Sequence, residues 1–335
     1  MSEKGFLTRY IGADFTKVEI LSREPNKRTK NPNAYVVIAR AYKEDALPLP
    51  LSRQELALAN ARDALKQLWL FPVAPEVCNL ACTHCLYASS PLRKNPYRLT
   101  EQELATVFAE LESLEAAPHM IFTGGEPTLH PHLYSLLDRV EQHGYSFQLH
   151  TNGTRIHARE AERLAAFAHL KKVQISLEGP SPDLNDAVMG QGLYHRVLRV
   201  IEDLRTQDVP VAIAVTPMES NQDHLSAIER CAEKTGAELI RILLYDLGAA
   251  TDNGLKPAVT DSQKDGPIDM DTELMCDTGV AYSEGKYFPC PVLVKDPDAF
   301  LGTSLRKALS PRAREQVLRL RETKATCEVC LKGSS

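Results

Sequence analysis

The sequence predicts an α/β protein whose core is a parallel sheet with helices on its outer side. Three observations point there. Between Leu68 and Tyr245, short apolar runs alternate with amphipathic stretches, and six strands emerge. The stretches between them are long enough for helical crossovers, which parallel strands require. At 335 residues, 43% hydrophobic and 25% charged, the chain has the composition of a globular protein with a sizeable core.

In chain order, Lys17–Leu21 and Ala34–Arg40 read as short strands around a turn-rich segment, so a hairpin is expected. Its loop carries Arg23, Lys27, Arg28 and Lys30 and reads as a solvated basic loop or a grip for an acidic substrate. Ser52 and Glu55 form a capping box opening a helix through about Gln67. The core then predicts strands at Leu68–Val73, His119–Thr123, Ser146–His150, Lys172–Leu177, Val211–Val215 and Glu238–Tyr245. Thr100 and Glu103 cap a helix with Leu104, Val107, Phe108, Leu111 and Leu114 on one face. Further helices are expected at Pro131–His143, Arg159–Ala168, Tyr194–Gln207 and Gln222–Thr235. Residues 248–268, rich in Gly, Asp, Pro and Thr, read as a linker. The expected division is an α+β extension (1–67), a core (68–247), the linker, and a small cysteine-bearing domain (269–335).

Charge and hydropathy exclude some classes. The net charge of −5 does not suit a nucleic-acid binder, and no apolar run is long enough for a membrane helix. With no secretory signal visible, a cytoplasmic location is expected, where cysteines serve metals or catalysis rather than disulfides. Of the eight cysteines, Cys78, Cys82 and Cys85 form a C-x3-C-x2-C run. Thiolates suit iron–sulfur clusters, zinc and Cu(I). Taken alone, the run also fits a zinc site or a buried thiol cluster. Cys276, Cys290, Cys327 and Cys330 make a second set of four, enough for one tetranuclear cluster or one tetrahedral zinc. Cys231 lies on the apolar stripe of Leu225, Ile228 and Ala232 and is expected to be a spectator in helix packing.

The three-cysteine run resembles the cluster loop of the radical S-adenosylmethionine (SAM) enzymes. Gly124-Gly125-Glu126-Pro127 after the second core strand resembles that family's next signature, which holds the amino group of SAM. Thr151-Asn152-Gly153, Ser176-Leu177-Glu178-Gly179 and Asn221 follow later strands in the family's order. The family more often has Asp where Glu178 stands.

The resemblance implies a partial (β/α)6 TIM-like barrel and a [4Fe–4S] cluster on Cys78, Cys82 and Cys85 whose open iron takes SAM. It implies SAM contacts from His84, near the adenine, and from Gly124, Gly125, Glu126, Pro127, Asn152, Ser176, Glu178 and Asn221. His130 and His132 read as structural. The later cysteines resemble the SPASM extension in its shortened twitch form, implying one auxiliary [4Fe–4S] cluster on Cys276, Cys290, Cys327 and Cys330. Since the chain ends five residues after Cys330, no second auxiliary cluster is expected.

The activity implied is reductive cleavage of SAM to a 5′-deoxyadenosyl radical and hydrogen abstraction from a small molecule or peptide. An oxidative outcome leads, with the auxiliary cluster taking up an electron and a flavodoxin or ferredoxin as donor. A redox-neutral epimerase or decarboxylase and a non-catalytic metal-stabilised binding module are the competing readings.

Overall fold

The structure, a computed structural model, describes residues 17–25, 35–42, 65–258 and 274–333. The chain divides into two compact units, Met1–Leu56 and Ala57–Ser335. In the first, β1 (Lys17–Pro25) pairs antiparallel with β2 (Tyr35–Tyr42), running from Lys17 opposite Tyr42 to Pro25 opposite Tyr35. A register shift between Ile20 and Ser22 marks a bulge. Both strands run farther than the sequence suggests. The basic loop beyond Arg23 and the helix expected from Ser52 lie outside the described residues, apart from that helix's final turn.

That final turn is not helical. Gln67 opens β3 (Gln67–Leu70), pairing with a neighbour on each side, and this lateral pairing overrides the local helical pattern. Five further parallel strands follow in sequence order: β4 (His119–Phe122), β5 (Phe147–Thr151), β6 (Leu170–Ser176), β7 (Val211–Val215) and β8 (Glu238–Arg241). β9 (Gly279–Ser283) adds parallel to β3, and β10 (Lys286–Phe288) pairs antiparallel with β9. The sheet therefore has eight strands, ordered β10-β9-β3-β4-β5-β6-β7-β8. β8 is shorter than expected, and Ile242–Tyr245 line a cavity instead of extending the edge.

The crossovers are α1 (Glu101–Ser113), α2 (Leu133–Gln142), α3 (Ala158–Ala165), α4 (Pro182–Met189), α5 (Leu193–Thr206) and α6 (Leu225–Thr235). α1 has the expected capping box: Thr100 accepts from the Glu103 amide and Glu103 reaches back. α4 was not legible in the sequence. Its Asn185 is fully buried and its Oδ1 accepts from the Glu178 amide at 2.9 Å, so this short helix positions a strand-end residue.

One sheet face carries the main core. Leu68, Phe122, Phe147, Leu149, Val173 and Ile213 pack there against helix residues such as Leu104, Leu111, Leu136, Val140 and Val197. Alternate strand residues face the other way, among them Trp69, His150, Gln174, Ser176 and Ala214, which line the cavity. The result is a partial (β/α)6 barrel with its open side at the strand C-termini.

The stretch expected as a linker is, in its first half, a built part of the core. Gly248 and α7 (Ala249–Asp252) sit on the cysteine loop, with the Ala249 amide donating to Cys85 O at 2.9 Å and Asn253 Nδ2 to Thr83 O at 3.0 Å. Pro257 bridges to Met218. Residues 259–268 lie outside the described residues. Beyond them come α8 (Met275–Thr278), the β9–β10 hairpin, α9 (Leu305–Ala308), α10 (Pro311–Thr323) and α11 (Ala325–Gly333). Because β9 is a strand of the main sheet, the C-terminal elements share the core's sheet rather than standing apart.

Candidate active site: two sets of thiols on adjoining cavities

The loop after β3 is fixed by backbone contacts. The Glu126 amide donates to Val77 O at 2.9 Å and Ser89 Oγ to Pro75 O at 2.7 Å. A Cβ at Gly125 would lie 1.9 Å from Val77 O, so only glycine lets this turn approach the loop. Cys78, Cys82 and Cys85 are all free and partly buried, and all line one cavity of about 350 Å³ at the strand ends. Cys78 Sγ accepts from the Leu80 amide at 3.3 Å, with Asn152 Nδ2 at 3.6 Å. Burial pushes the Cys78 thiol up to about 12, with Glu126 and Cys85 adding to the rise. Cys82 is raised further, by burial and then by the neighbouring thiols. Three partly buried thiols within one another's field favour a cation that would take them as thiolates.

Other expected ligands divide into those that reach the cavity and those that do not. His84, Gly124, Gly125, Asn152, Ser176 and Glu178 line it. His84 Nε2 lies 3.4 Å from Glu178 Oε1, and Glu178 Oε2 accepts from the Thr216 amide at 2.8 Å. Burial raises the Glu178 carboxyl, and His84 opposes that rise. His84 Nδ1 is buried without a hydrogen-bond partner. An orphaned polar atom on a cavity wall suits a polar ligand.

Glu126 is different. Its carboxylate is fully buried and accepts from the Thr128 amide and hydroxyl, Thr151 Oγ1 and the Asn152 amide at 2.6–3.0 Å. Three of those donors converge on Oε1 and one on Oε2, which leaves one acceptor site on the carboxylate, and this turn otherwise faces the cavity with the backbone of Gly124 and Gly125. Pro127 is buried outside the cavity lining. Asn221 also lies outside it. Its Nδ2 donates to Glu178 O and Thr216 O and its Oδ1 accepts from the Met218 amide, tying the ends of β6 and β7 together.

His130 has a structural place. Its Nε2 bonds Leu99 O at 3.0 Å and its Nδ1 accepts from the His132 amide at 3.1 Å. Cys231 is in α6, on the helix side of the sheet, in a groove with Tyr194 and Thr235 that shares no lining residue with the cavity.

Several cavity residues were not singled out in the sequence: Trp69, Tyr87, His150, Gln174, Met189 and Tyr245. The signal for His150 and Gln174 was present, since they alternate with Leu149, Val173 and Ile175 on strands whose other face is core. Gln148 Nε2 donates to His150 Nε2 at 2.7 Å, which leaves the ring neutral with its proton on Nδ1. Burial, then Lys172 and His119, lower this imidazole to about 3.

The second set also assembles. Cys276, Cys290, Cys327 and Cys330 line a smaller cavity of about 30 Å³ with Met275, Val292, Leu320 and Arg321. The C-x2-C pair sits on α11, where a spacing of three residues puts both thiols on one face. Burial raises Cys276, Cys290 and Cys327, the last to about 11, and neighbouring thiols contribute to each rise. Four thiols among apolar walls, each in another's field, are the donor set of an iron–sulfur cluster or a thiolate zinc site. Among the described residues, no three His, Cys, Asp or Glu side chains converge as a single bound ion would require, and no helix is long and apolar enough to cross a membrane.

The comparisons agree with this geometry. The profile described as "Radical SAM superfamily" matches residues 74–231. The mycofactocin maturase MftC of Mycolicibacterium smegmatis is 34% identical over 178 residues, 52% of this chain and 44% of that protein. The AdoMet-dependent heme synthase of Oleidesulfovibrio alaskensis is 33% identical over 182 residues, 53% of this chain and 45% of that protein. The chain thus spans under half the length of these curated relatives. Streptococcus suis SuiB bound to S-adenosylmethionine superposes with a TM-score of 0.59 at 14% identity, covering 82% of this chain and 70% of that one. On its loop, its strand-end motifs and these matches, the chain is similar to the radical SAM superfamily over residues 74–231, and it shares its fold with SuiB.

Proposed function

We propose that this protein cleaves SAM reductively and abstracts a hydrogen atom from a peptide or other natural-product substrate, which it then oxidises by dehydrogenation or cross-linking. The observation that carries the reading is the convergence on one cavity wall of three loop thiols, the backbone of Gly124–Gly125 and the orphaned His84 Nδ1. Cys78, Cys82 and Cys85 would hold a [4Fe–4S] cluster. Four-cysteine ligation is the rule for such clusters, so three leave one iron for SAM. When bound, cluster and SAM supply an electron and a 5′-deoxyadenosyl radical.

The chain's own groups do the rest. Gly124 and Gly125 expose backbone polar atoms to the amino-acid end of SAM. Glu126 keeps that turn in place through Thr128, Thr151 and Asn152. Asn152, Ser176 and His84 offer polar atoms to the carboxylate, ribose and adenine. Trp69, Tyr87 and Tyr245 give the remaining wall an aromatic surface that excludes water from a reacting radical. Cys276, Cys290, Cys327 and Cys330 would hold the auxiliary cluster. The peptide reading draws on SuiB, which has been solved bound to the precursor peptide SuiA. A flavodoxin- or ferredoxin-type protein is the proposed electron donor.

The test is replacement of Cys78, Cys82 and Cys85 by Ala. Anaerobically reconstituted protein should fall from about eight to about four irons per chain and lose 5′-deoxyadenosine formation. A reduced variant that still cleaves SAM would overturn the assignment.

A further inference from the structure

The two sets of thiols differ in the charges and donors around them. In the C-terminal set, Arg321 Nη2 and Nε donate to Cys276 Sγ at 2.9 and 3.3 Å. Asp277 Oδ1 holds the same guanidinium at 2.8 Å, fixing its fork and balancing its charge. Tyr245 OH lies 3.2 Å from Cys330 Sγ. The Val292 and Leu293 amides donate to Cys290. In the loop set, the donors to Cys78 and Cys85 are neutral amide groups, and Cys85 Sγ itself donates to Ser89 Oγ at 3.3 Å. Carboxylates act on both sets, Glu126 and Glu178 on Cys78 and Cys82, and Asp277 and Asp296 on Cys276 and Cys327, so the contrast between the sets lies in Arg321 and the Tyr245 hydroxyl.

An added electron makes the sulfurs of an iron–sulfur site more negative. Hydrogen-bond donors and cations stabilise that state, and carboxylates oppose it. The partition between the two cavities is also thin. Met275 and Val292 line both, and Tyr245 lines the larger while contacting a thiol of the smaller.

From these contacts we infer that Arg321 and Tyr245 are positioning residues that raise the electron affinity of an iron–sulfur group held on the four cysteines. The inference rests on the function proposed above and gives it a direction. Loss of a hydrogen atom leaves the substrate with one unpaired electron. An iron–sulfur group held by Cys276, Cys290, Cys327 and Cys330 would supply an acceptor for that electron, and with release of one proton the substrate would be oxidised by two electrons in all while its acceptor gained one.

The test uses full-length protein with Cys78, Cys82 and Cys85 replaced by Ala, so that only the C-terminal site is observed in a redox titration followed by electron paramagnetic resonance. Tyr245→Phe and Arg321→Gln should each move the midpoint to a more negative potential at unchanged iron content, with Arg321→Lys falling between Arg321→Gln and the parent. If Arg321→Gln loads no iron, Tyr245→Phe decides, because it keeps the ring and removes only the hydroxyl. Equal midpoints for the parent and an iron-replete Tyr245→Phe would overturn the inference. Zinc in place of iron in the parent would overturn the auxiliary-cluster reading itself, at the metal assay and before any potential is measured.

Discussion

At the scale of single residues, burial on the barrel's inner face holds the His150 imidazole in its neutral form. That burial ties stability to pH. The ring's folded-state value of about 3 lies below the ordinary imidazole value of 6.5. Above pH 6.5 both folded and unfolded states carry it neutral. As pH falls from 6.5 toward 3, only the unfolded state takes up the proton, so stability falls with pH in that window. At about 1.4 kcal/mol per pH unit, this group alone costs about 2 kcal/mol between pH 7 and pH 5. His150→Gln should lose that component. Its drop in apparent melting temperature between pH 7 and pH 5 should be smaller than that of the unaltered chain. An identical drop in both would show that His150 is protonated in the fold.

At the scale of elements, the cysteine loop depends on two neighbours that come from elsewhere in the chain. The turn after β4 touches it through Gly125, and the start of α7 touches it through Gly248. There φ is +58° and a Cβ would lie 2.5 Å from Leu86 O. Both contacts are with backbone, which cannot move aside as a side-chain tip could. Gly125→Ala must therefore push the turn off Val77 or displace the loop. It should destabilise the protein by more than about 2 kcal/mol and cut the iron held by the loop at least severalfold. Iron content and melting temperature measure the two effects. Normal values of both would mean that the turn and loop can separate without consequence. The Thr100–Glu103 capping box was legible because its partners are three residues apart, whereas these loop contacts join segments far apart in the chain.

At the scale of the whole molecule, the C-terminal elements complete the core's sheet. β9 covers the edge of β3, and Phe288, Val292, Leu293 and Leu320 pack in one cluster with Trp69, Phe71, Ile121 and Tyr245. Cutting the chain after Ala258 would bare that edge and those side chains. Burial of each large apolar side chain contributes about 1.5–3 kcal/mol, and bare strand edges template aggregation. The truncated core should lose a cooperative thermal transition or aggregate at temperatures where the full chain is folded. A core that melts at the full chain's temperature would instead show a separable domain, as the division at 248–268 would suggest.

The sequence by itself determined the elements and the order of the chemistry. Cysteine spacing, glycines at strand ends and the alternation of apolar runs with amphipathic stretches are local, and they were readable as a parallel α/β core with two sets of thiols. Tertiary structure decided which polar groups remain available. Glu126 stands in the right motif, yet donors from Thr151 and Asn152, some 25 residues on, take up part of its carboxylate. Asn221 is taken up in the same way by the ends of β6 and β7. Arg321 and Tyr245 carry no local signal at all, since each gains its meaning from a cysteine 45 or 85 residues away. Gln67 went to a strand because two partners from separate segments flank it, and α7 formed on the cysteine loop in a stretch whose composition reads as a linker. In each case the deciding term is a hydrogen bond or contact between distant segments, and such terms exist only once the chain has folded.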